Sequence, residues 1–317
     1  MNNLPQEQGI PLLVLVGPTA VGKTALSIEL AKRLDAEIVS ADSVQVYRGL
    51  NIGTAKPTLE EQCSVKHHLI DIVDPTVNFT VYDYQRLARK TIAEIHNLGR
   101  LPLLVGGTGL YIKAVLEGFI FSSGKSSELI RKRLQDELKL KGKENLYRML
   151  QEQDPASAGV IHPNDTKRVL RALEFFYLTG EPISVQKKRT RDKESSYKPL
   201  LIGLYMPREH LYARINKRVD MMMQSGFLAE VRGLLQKGYD KNLKSLQSLG
   251  YRHMITYLEG EWDWETTLFH LKRDTRRYAK RQLTWFCADP RIRWFPLRPG
   301  DNFNRVLESI CCQLAGY

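Results

Sequence analysis

Short apolar runs separated by segments of helical period dominate the first 120 residues. Residues 12–16 (LLVLV) are too short for a lone helix and read as a strand buried on both faces. Residues 25–34 then alternate as an amphipathic helix, and residues 36–42 (AEIVSAD) form a second buried strand that delivers Asp42 at its C-terminal end. Residues 67–75 (HHLIDIVDP) predict a short strand entering a turn. Residues 81–98 place Tyr84, Leu87, Ala88, Ile92 and Ile95 at helical spacing, and residues 101–105 (LPLLV) predict the next strand, ending in Gly106, Gly107 and Thr108.

The pattern changes between residues 122 and 199, where Lys/Arg-rich helical segments replace the strand–helix alternation. One helix is predicted to start after His162-Pro163-Asn164, with Asp165 as N-cap and Arg168 and Arg171 on one face. Residues 187–193 (KKRTRDK) read as an exposed, mobile connector. Residues 200–205 (LLIGLY) return the chain to the sheet, and the following helix carries Arg214 and Arg218 at i, i+4. A tight loop is expected at residues 248–252 (SLGYR), and a long helix over residues 264–286.

The first strand is followed by Gly17-Pro18-Thr19-Ala20-Val21-Gly22-Lys23-Thr24, which fits G-x-x-x-x-G-K-[ST] at every fixed position. The glycines let backbone N–H groups turn inward around a phosphate, the helix N-terminus adds partial positive charge, Lys23 adds a full one, and Thr24 offers a hydroxyl to Mg²⁺. The motif specifies polyphosphate binding without specifying ATP. An ATPase of this type places an aspartate at the end of an apolar strand, whereas the most apolar later strand here ends in Gly-Gly-Thr. The fold class expected is α/β: a P-loop NTPase-like parallel sheet flanked by helices, with an all-helical insertion. Residues 1–121 form the first part of the core, 122–199 the insertion, and 200–317 the core completion with basic C-terminal helices.

Charge sharpens this division. Residues 1–117 hold 11 Lys/Arg and 12 Asp/Glu, net −1, which leaves 36 and 23, net +13, beyond them. A basic half beside a neutral phosphate-loop half points to a polyanion larger than the loop's own ligand. Arg273, Arg277 and Arg281 recur at i, i+4, i+8 on the long helix, flanked by Lys272, Arg276 and Lys280. With little acidic compensation these cations repel unless an anion answers them, and phosphate backbone is the expected answer. Arg273, Arg277, Lys280 and Arg281 are therefore candidate nucleic-acid contacts.

The adjacent His67 and His68 point to opposite faces of a strand, so hydrogen bonding or packing is expected of them rather than metal binding. Cys63, Cys287, Cys311 and Cys312 show no metal spacing and read as buried free thiols. No apolar run reaches the length of a membrane span, and the N-terminal MNNLPQEQG has no signal-peptide core. A cytoplasmic monomer without a membrane or obligate protein partner is the expectation.

Several stretches taken together resemble the tRNA dimethylallyltransferases of bacterial type. They are the phosphate loop, residues 42–47 (DSVQVY), 53–57 (GTAKP), 105–111 (VGGTGLY), 162–165 (HPND), 248–252 (SLGYR) and 279–285 (AKRQLTW). The resemblance implies transfer of a dimethylallyl group from its diphosphate to N6 of adenosine 37 in tRNAs reading codons that begin with U. It implies that Asp42 is the general base, that Arg218 lies at the diphosphate with Arg214 nearby, and that Thr19 hydrogen-bonds the same group. It also implies tRNA contacts from Asp42, Ser43, Val44 and Gln45, from Thr108 and Arg131, from Thr166, Lys167, Arg168, Val169 and Leu170, and from Gln247, Ser248, Leu249, Gly250, Tyr251 and Arg252. For Asp42 a place in the Mg²⁺ water shell stays open. A P-loop kinase, prenyl transfer to free adenine nucleotide, and a non-catalytic RNA-binding module are the competing readings.

Overall fold

The computed structural model describes residues 9–118, 125–191, 196–297 and 303–314. The chain divides into two compact units, one of residues 1–116 with 196–317 and one of residues 117–195.

The first unit is built on β1 (Ile10–Val16), α1 (Lys23–Leu34), β2 (Ala36–Ala41), α2 (Leu59–Ser64), β3 (His67–His68), α3 (Val81–Asn97), β4 (Leu101–Gly106) and α4 (Gly109–Glu117). The second unit supplies α5 (Lys125–Gln153), α6 (Pro155–Ala158), α7 (Thr166–Thr179) and α8 (Ile183–Arg191). The first unit resumes with β5 (Tyr197–Tyr205), α9 (Arg208–Gln224), α10 (Phe227–Gln236), α11 (Tyr251–Leu258), α12 (Trp264–Cys287), β6 (Arg293–Pro296) and α13 (Phe303–Leu314).

The six strands form one parallel sheet in the order β3-β2-β4-β1-β5-β6. Its two central strands, β4 and β1, are apolar throughout because helices cover both faces. Leu12, Val14 and Val16 of β1 point into one core with Ile92, Tyr111 and Phe286, while Leu13 and Leu15 point into the other with Leu26, Leu30 and Ile215. Register then decides where the chemistry emerges. Gly106 is level with both Val16 and Ala41, and Val16 with Gly203, so Gly17, Asp42 and Gly107 leave the C-terminal edge side by side. In an open α/β sheet that edge is the ligand-binding edge.

Three expectations need correction. The sheet regains the chain at Tyr197, so the helical unit covers residues 117–195 rather than 122–199. Residues 187–191 continue α8 instead of forming a connector, while residues 192–195 lie outside the described ones. Cys63, Cys287 and Cys312 are exposed and Cys311 is partly buried, all as free thiols. The sequence after residue 287, which carried no readable motif, adds β6 beside β5 and α13, whose Leu307 and Ile310 join the core under α1.

The helical unit has its own small core of Leu134, Leu146, Leu150, Ile161, Val169 and Leu173. Asp165 caps α7 by accepting from the Arg168 amide at 3.3 Å. The buried Glu174 carboxylate takes Arg131 at 2.7 Å and Arg171 at 3.2 Å.

Candidate active site

The turn between β1 and α1 is built around left-handed backbone. Gly17 has φ +150 and a Cβ there would lie 2.7 Å from the Leu204 carbonyl oxygen, and Gly22 has φ +112. Gly22 stands at the N-cap of α1 without a side-chain cap, so the helix start presents its N–H groups to whatever the loop holds. Lys23 Nζ donates to the carbonyl oxygens of Gly17 at 2.9 Å and Pro18 at 2.8 Å. Burial pushes the Lys23 ammonium down to about 7, Arg218 adds to the effect, and Asp42 opposes it.

α9 brings its arginines to the same place because β5 lies directly beside β1. A Cβ on Gly22 would stand 3.8 Å from Arg214 Nη2. Burial lowers the Arg218 guanidinium pKa, Asp42 raises it, and Arg214 lowers it further. The start of α1, the end of β2 and helix α9 thus gather Lys23, one carboxylate, Arg214 and Arg218.

Asp42 is held by the turn that follows it. Its Oδ1 accepts from the amides of Val44 at 2.8 Å and Gln45 at 3.2 Å, while Oδ2 has no hydrogen-bond partner among the described residues. The Ser43 amide donates to Thr108 Oγ1 at 3.1 Å, tying this turn to the end of β4. Three phenols lie within electrostatic reach of the carboxylate. Tyr84 and Tyr111 stack with ring centroids 4.0 Å apart, and Tyr84 donates to the Ser40 carbonyl at 2.9 Å. Burial is the main cause that raises the pKa of Tyr84, Tyr111 and Tyr278, with the Asp42 charge a lesser contributor to each, so all three keep their protons.

Sequence reasoning gave no role to Gln282 or to these tyrosines. Gln282 accepts from the Thr19 amide at 2.8 Å and donates to the Gly107 carbonyl at 3.0 Å, joining the phosphate loop to β4. The available signal was a glutamine on the apolar face of a helix, between Ala279 and Phe286, which are both buried.

The structure brings together the loop from Gly17 to Thr24, residues 42–45, Thr108, Arg214 and Arg218. Thr166, Lys167, Arg168, Leu170 and Arg131 belong to the helical unit, with Lys167 and Arg168 exposed at the start of α7. Val169 is 1 % exposed in the core of that unit, and Tyr251 is fully buried against Phe227. Neither side chain offers a surface to RNA, which corrects both assignments. Gln247 and Arg252 are exposed, Ser248 and Leu249 are half-buried, and Gly250 is the N-cap of α11 at φ +95.

The basic helix also differs from expectation. Asp274 answers Arg273 at 2.9 Å, Arg277 at 3.5 Å, and from α11 Arg252 at 3.5 Å, and Asp220 takes Lys272 at 2.6 Å. One carboxylate thus faces three arginines, so these cations are answered only in part within the fold. Lys280 and Arg281 are exposed and have no acidic partner among the described residues.

A family model described as IPP transferase matches residues 45–289. A tRNA dimethylallyltransferase of Alkaliphilus metalliredigens (strain QYMF) is 49% identical over 306 residues, 96% of this chain and 97% of its own. One of Bacillus subtilis (strain 168) is 46% identical over 319 residues, 100% and 99% of the two chains. Among solved structures, the tRNA isopentenylpyrophosphate transferase of Bacillus halodurans superposes with TM-score 0.73 at 45% identity, covering 96% of each chain. A eukaryotic dimethylallyltransferase acting on tRNA gives TM-score 0.77 at 30% identity over 90% of this chain and 74% of that one.

Proposed function

The chain belongs to the tRNA dimethylallyltransferase family, and we propose that it transfers the dimethylallyl group of dimethylallyl diphosphate to N6 of adenosine 37 in tRNAs reading codons that begin with U. N6 forms a bond to the allylic carbon, the carbon–oxygen bond breaks with its electron pair leaving on diphosphate, and one N6 proton is lost. The observation that carries this reading is the pairing of a phosphate loop with a carboxylate whose second oxygen is unengaged. Lys23, Arg218 and Asp42 lie within electrostatic reach of one another, so the leaving group's negative charge and the departing proton are met in one place.

Asp42 Oδ2 takes the proton, because Oδ1 is already occupied by the Val44 and Gln45 amides. A positioned base of this kind is worth about 10²–10⁴ in rate. Lys23, Arg214, Arg218, the loop amides and Thr19 stabilise the diphosphate as it leaves. Among the described residues no group of three His, Cys, Asp or Glu could hold a metal unaided. The hydroxyl oxygen of Thr24 beside a phosphate-binding loop is a hard donor of the kind that fits Mg²⁺, which keeps several waters and binds largely through phosphate oxygens. Thr24 in the first turn of α1 would hold that ion, which would supply further charge neutralisation on the diphosphate.

The target adenine leaves its stack to reach a base at the sheet edge. Its tRNA is bound by residues 42–45, Thr108, Gln247, Ser248, Leu249, Arg252, Lys280 and Arg281, and by Lys167 and Arg168 of the helical unit. Among the described residues no helix is long and apolar enough to cross a membrane, and we place the enzyme in the cytoplasm as a monomer. The test is incubation with Mg²⁺, radiolabelled dimethylallyl diphosphate and unmodified tRNA, comparing wild type with Asp42→Ala. Label on adenosine 37 that falls by about 10²-fold or more in the variant supports the reaction and its base; phosphoryl transfer from ATP without label would replace both with a kinase.

A further inference from the structure

The one acidic side chain of α10, Glu230, spends its hydrogen bonds on other parts of the chain. Oε2 accepts from the amides of Asn51 at 3.0 Å and Ile52 at 2.8 Å, and Oε1 from the Gly53 amide at 3.3 Å and the Tyr251 hydroxyl at 2.6 Å. Three consecutive N–H groups converging on a carboxylate are a charge-assisted anchor for a segment without regular structure. Gly53 permits the approach, since a Cβ there would lie 2.2 Å from the Phe227 ring and 2.6 Å from the Tyr251 ring.

The anchored loop leads to the reaction centre. The next two carbonyls, of Thr54 and Ala55, accept from Gln45 Nε2 at 3.2 and 3.3 Å. Gln45 Oε1 accepts from Ser40 Oγ at 3.1 Å, and the Gln45 amide donates to Asp42 Oδ1 at 3.2 Å. Lys56 closes the loop from its other end, with Nζ on the Tyr47 carbonyl at 2.6 Å and Asp71 at 2.5 Å. The turn that aims Asp42 therefore rests on a loop whose one carboxylate anchor at residues 51–53 comes from a helix 177 residues downstream of Gly53.

We propose that Glu230 is a positioning residue for Asp42, fixing residues 51–55 so that Gln45 holds the Asp42 carboxylate in register with the substrate amine. The proposal rests on Asp42 being the proton acceptor. A small displacement of a reacting group costs up to about 10²-fold in rate, and groups that act through one another are non-additive when removed together.

The test compares Glu230→Gln, Asp42→Ala and the double variant in steady-state prenyl transfer, with single-turnover runs to isolate the chemical step. Glutamine keeps the volume but replaces one acceptor oxygen with an N–H donor, so either the Asn51 and Ile52 amides or the Gly53 amide and the Tyr251 hydroxyl lose their acceptor. Expected are a kcat lower by about 10- to 10²-fold in Glu230→Gln, with KM for dimethylallyl diphosphate within about twofold of wild type. The double variant should match Asp42→Ala, and amide exchange at residues 51–53 should accelerate. Additive losses, or an unchanged kcat in Glu230→Gln, overturn the proposal. A wild-type rate in Asp42→Ala removes the base reading itself and the proposal with it, a result that the Glu230 variant alone cannot produce. If Glu230→Gln loses its cooperative unfolding transition, Glu230→Asp, which keeps the charge and withdraws it by one methylene, takes its place in the same comparison.

Discussion

Gln282 and Thr19 lie 263 residues apart in the chain and 2.8 Å apart in the fold, the Thr19 amide donating to Gln282 Oε1. The same side chain donates to the Gly107 carbonyl, so one amide group spans the phosphate loop and the end of β4. Gln282→Leu keeps the volume and leaves both backbone groups unpaired in a buried place. It is expected to cost about 1–3 kcal/mol in denaturant unfolding and to raise KM for dimethylallyl diphosphate more than it lowers kcat. An unchanged unfolding midpoint would contradict the clamp.

The Lys23 ammonium is pushed down to about 7 in the free protein, and an anion in the loop restores its charge. Between pH 7 and the ordinary lysine range near 10.5, the free group is neutral and the bound group is protonated. Binding therefore takes up a proton in that window, and affinity falls as pH rises through it. Calorimetry of diphosphate binding in buffers of different ionisation enthalpy should detect the uptake near pH 8, and Lys23→Met should remove that component while leaving the ligand's own protonation.

Two glycines separate packing from propensity. A Cβ at Gly53 would meet the Phe227 and Tyr251 rings at 2.2–2.6 Å, so Gly53→Ala should destabilise by about 1–3 kcal/mol through overpacking. A Cβ at Gly233, inside α10, meets nothing within 4 Å. Gly233→Ala is expected to stabilise by about 0.5–1 kcal/mol. Thermal unfolding of the pair should move in opposite directions.

Asp274 holds Arg252, Arg273 and Arg277 together, with His253 Nε2 at 3.3 Å. Burial pushes its carboxyl up, but bonds from Arg273 and His253 outweigh that and hold it below the usual 3.8. This stabilisation is complete above the unfolded-state pKa and is lost as pH falls through the lowered folded-state value. Asp274→Asn should lower the melting temperature at neutral pH, with a deficit that shrinks as salt screens the remaining cations. A deficit independent of salt would assign the loss to packing.

Much of this site was written locally. The glycines of the phosphate loop, Lys23, Thr24 and the strand delivering Asp42 are legible because consecutive residues make them: an apolar strand, a left-handed turn and a helix start need no distant partner. The ends of α3 and the N-cap of α7 were legible for the same reason. Asp274 stands in the sequence between two of the arginines it pairs with, yet its pull on Arg252 from α11 depends on how two helices pack.

What the sequence by itself determined is the chemistry available: a polyphosphate cradle, a carboxylate at a strand edge, and a basic second half. What only the tertiary structure decided is which groups share a space. Strand order and register put Gly17, Asp42 and Gly107 on one level, α9 brought Arg218 to Lys23, and burial removed Tyr251 and Val169 from any RNA surface. Hydrophobic periodicity tells a residue which face it occupies but not which partner it meets. Gln282 and Glu230 reach their partners across 263 and about 180 residues of chain, and no local pattern records such a contact.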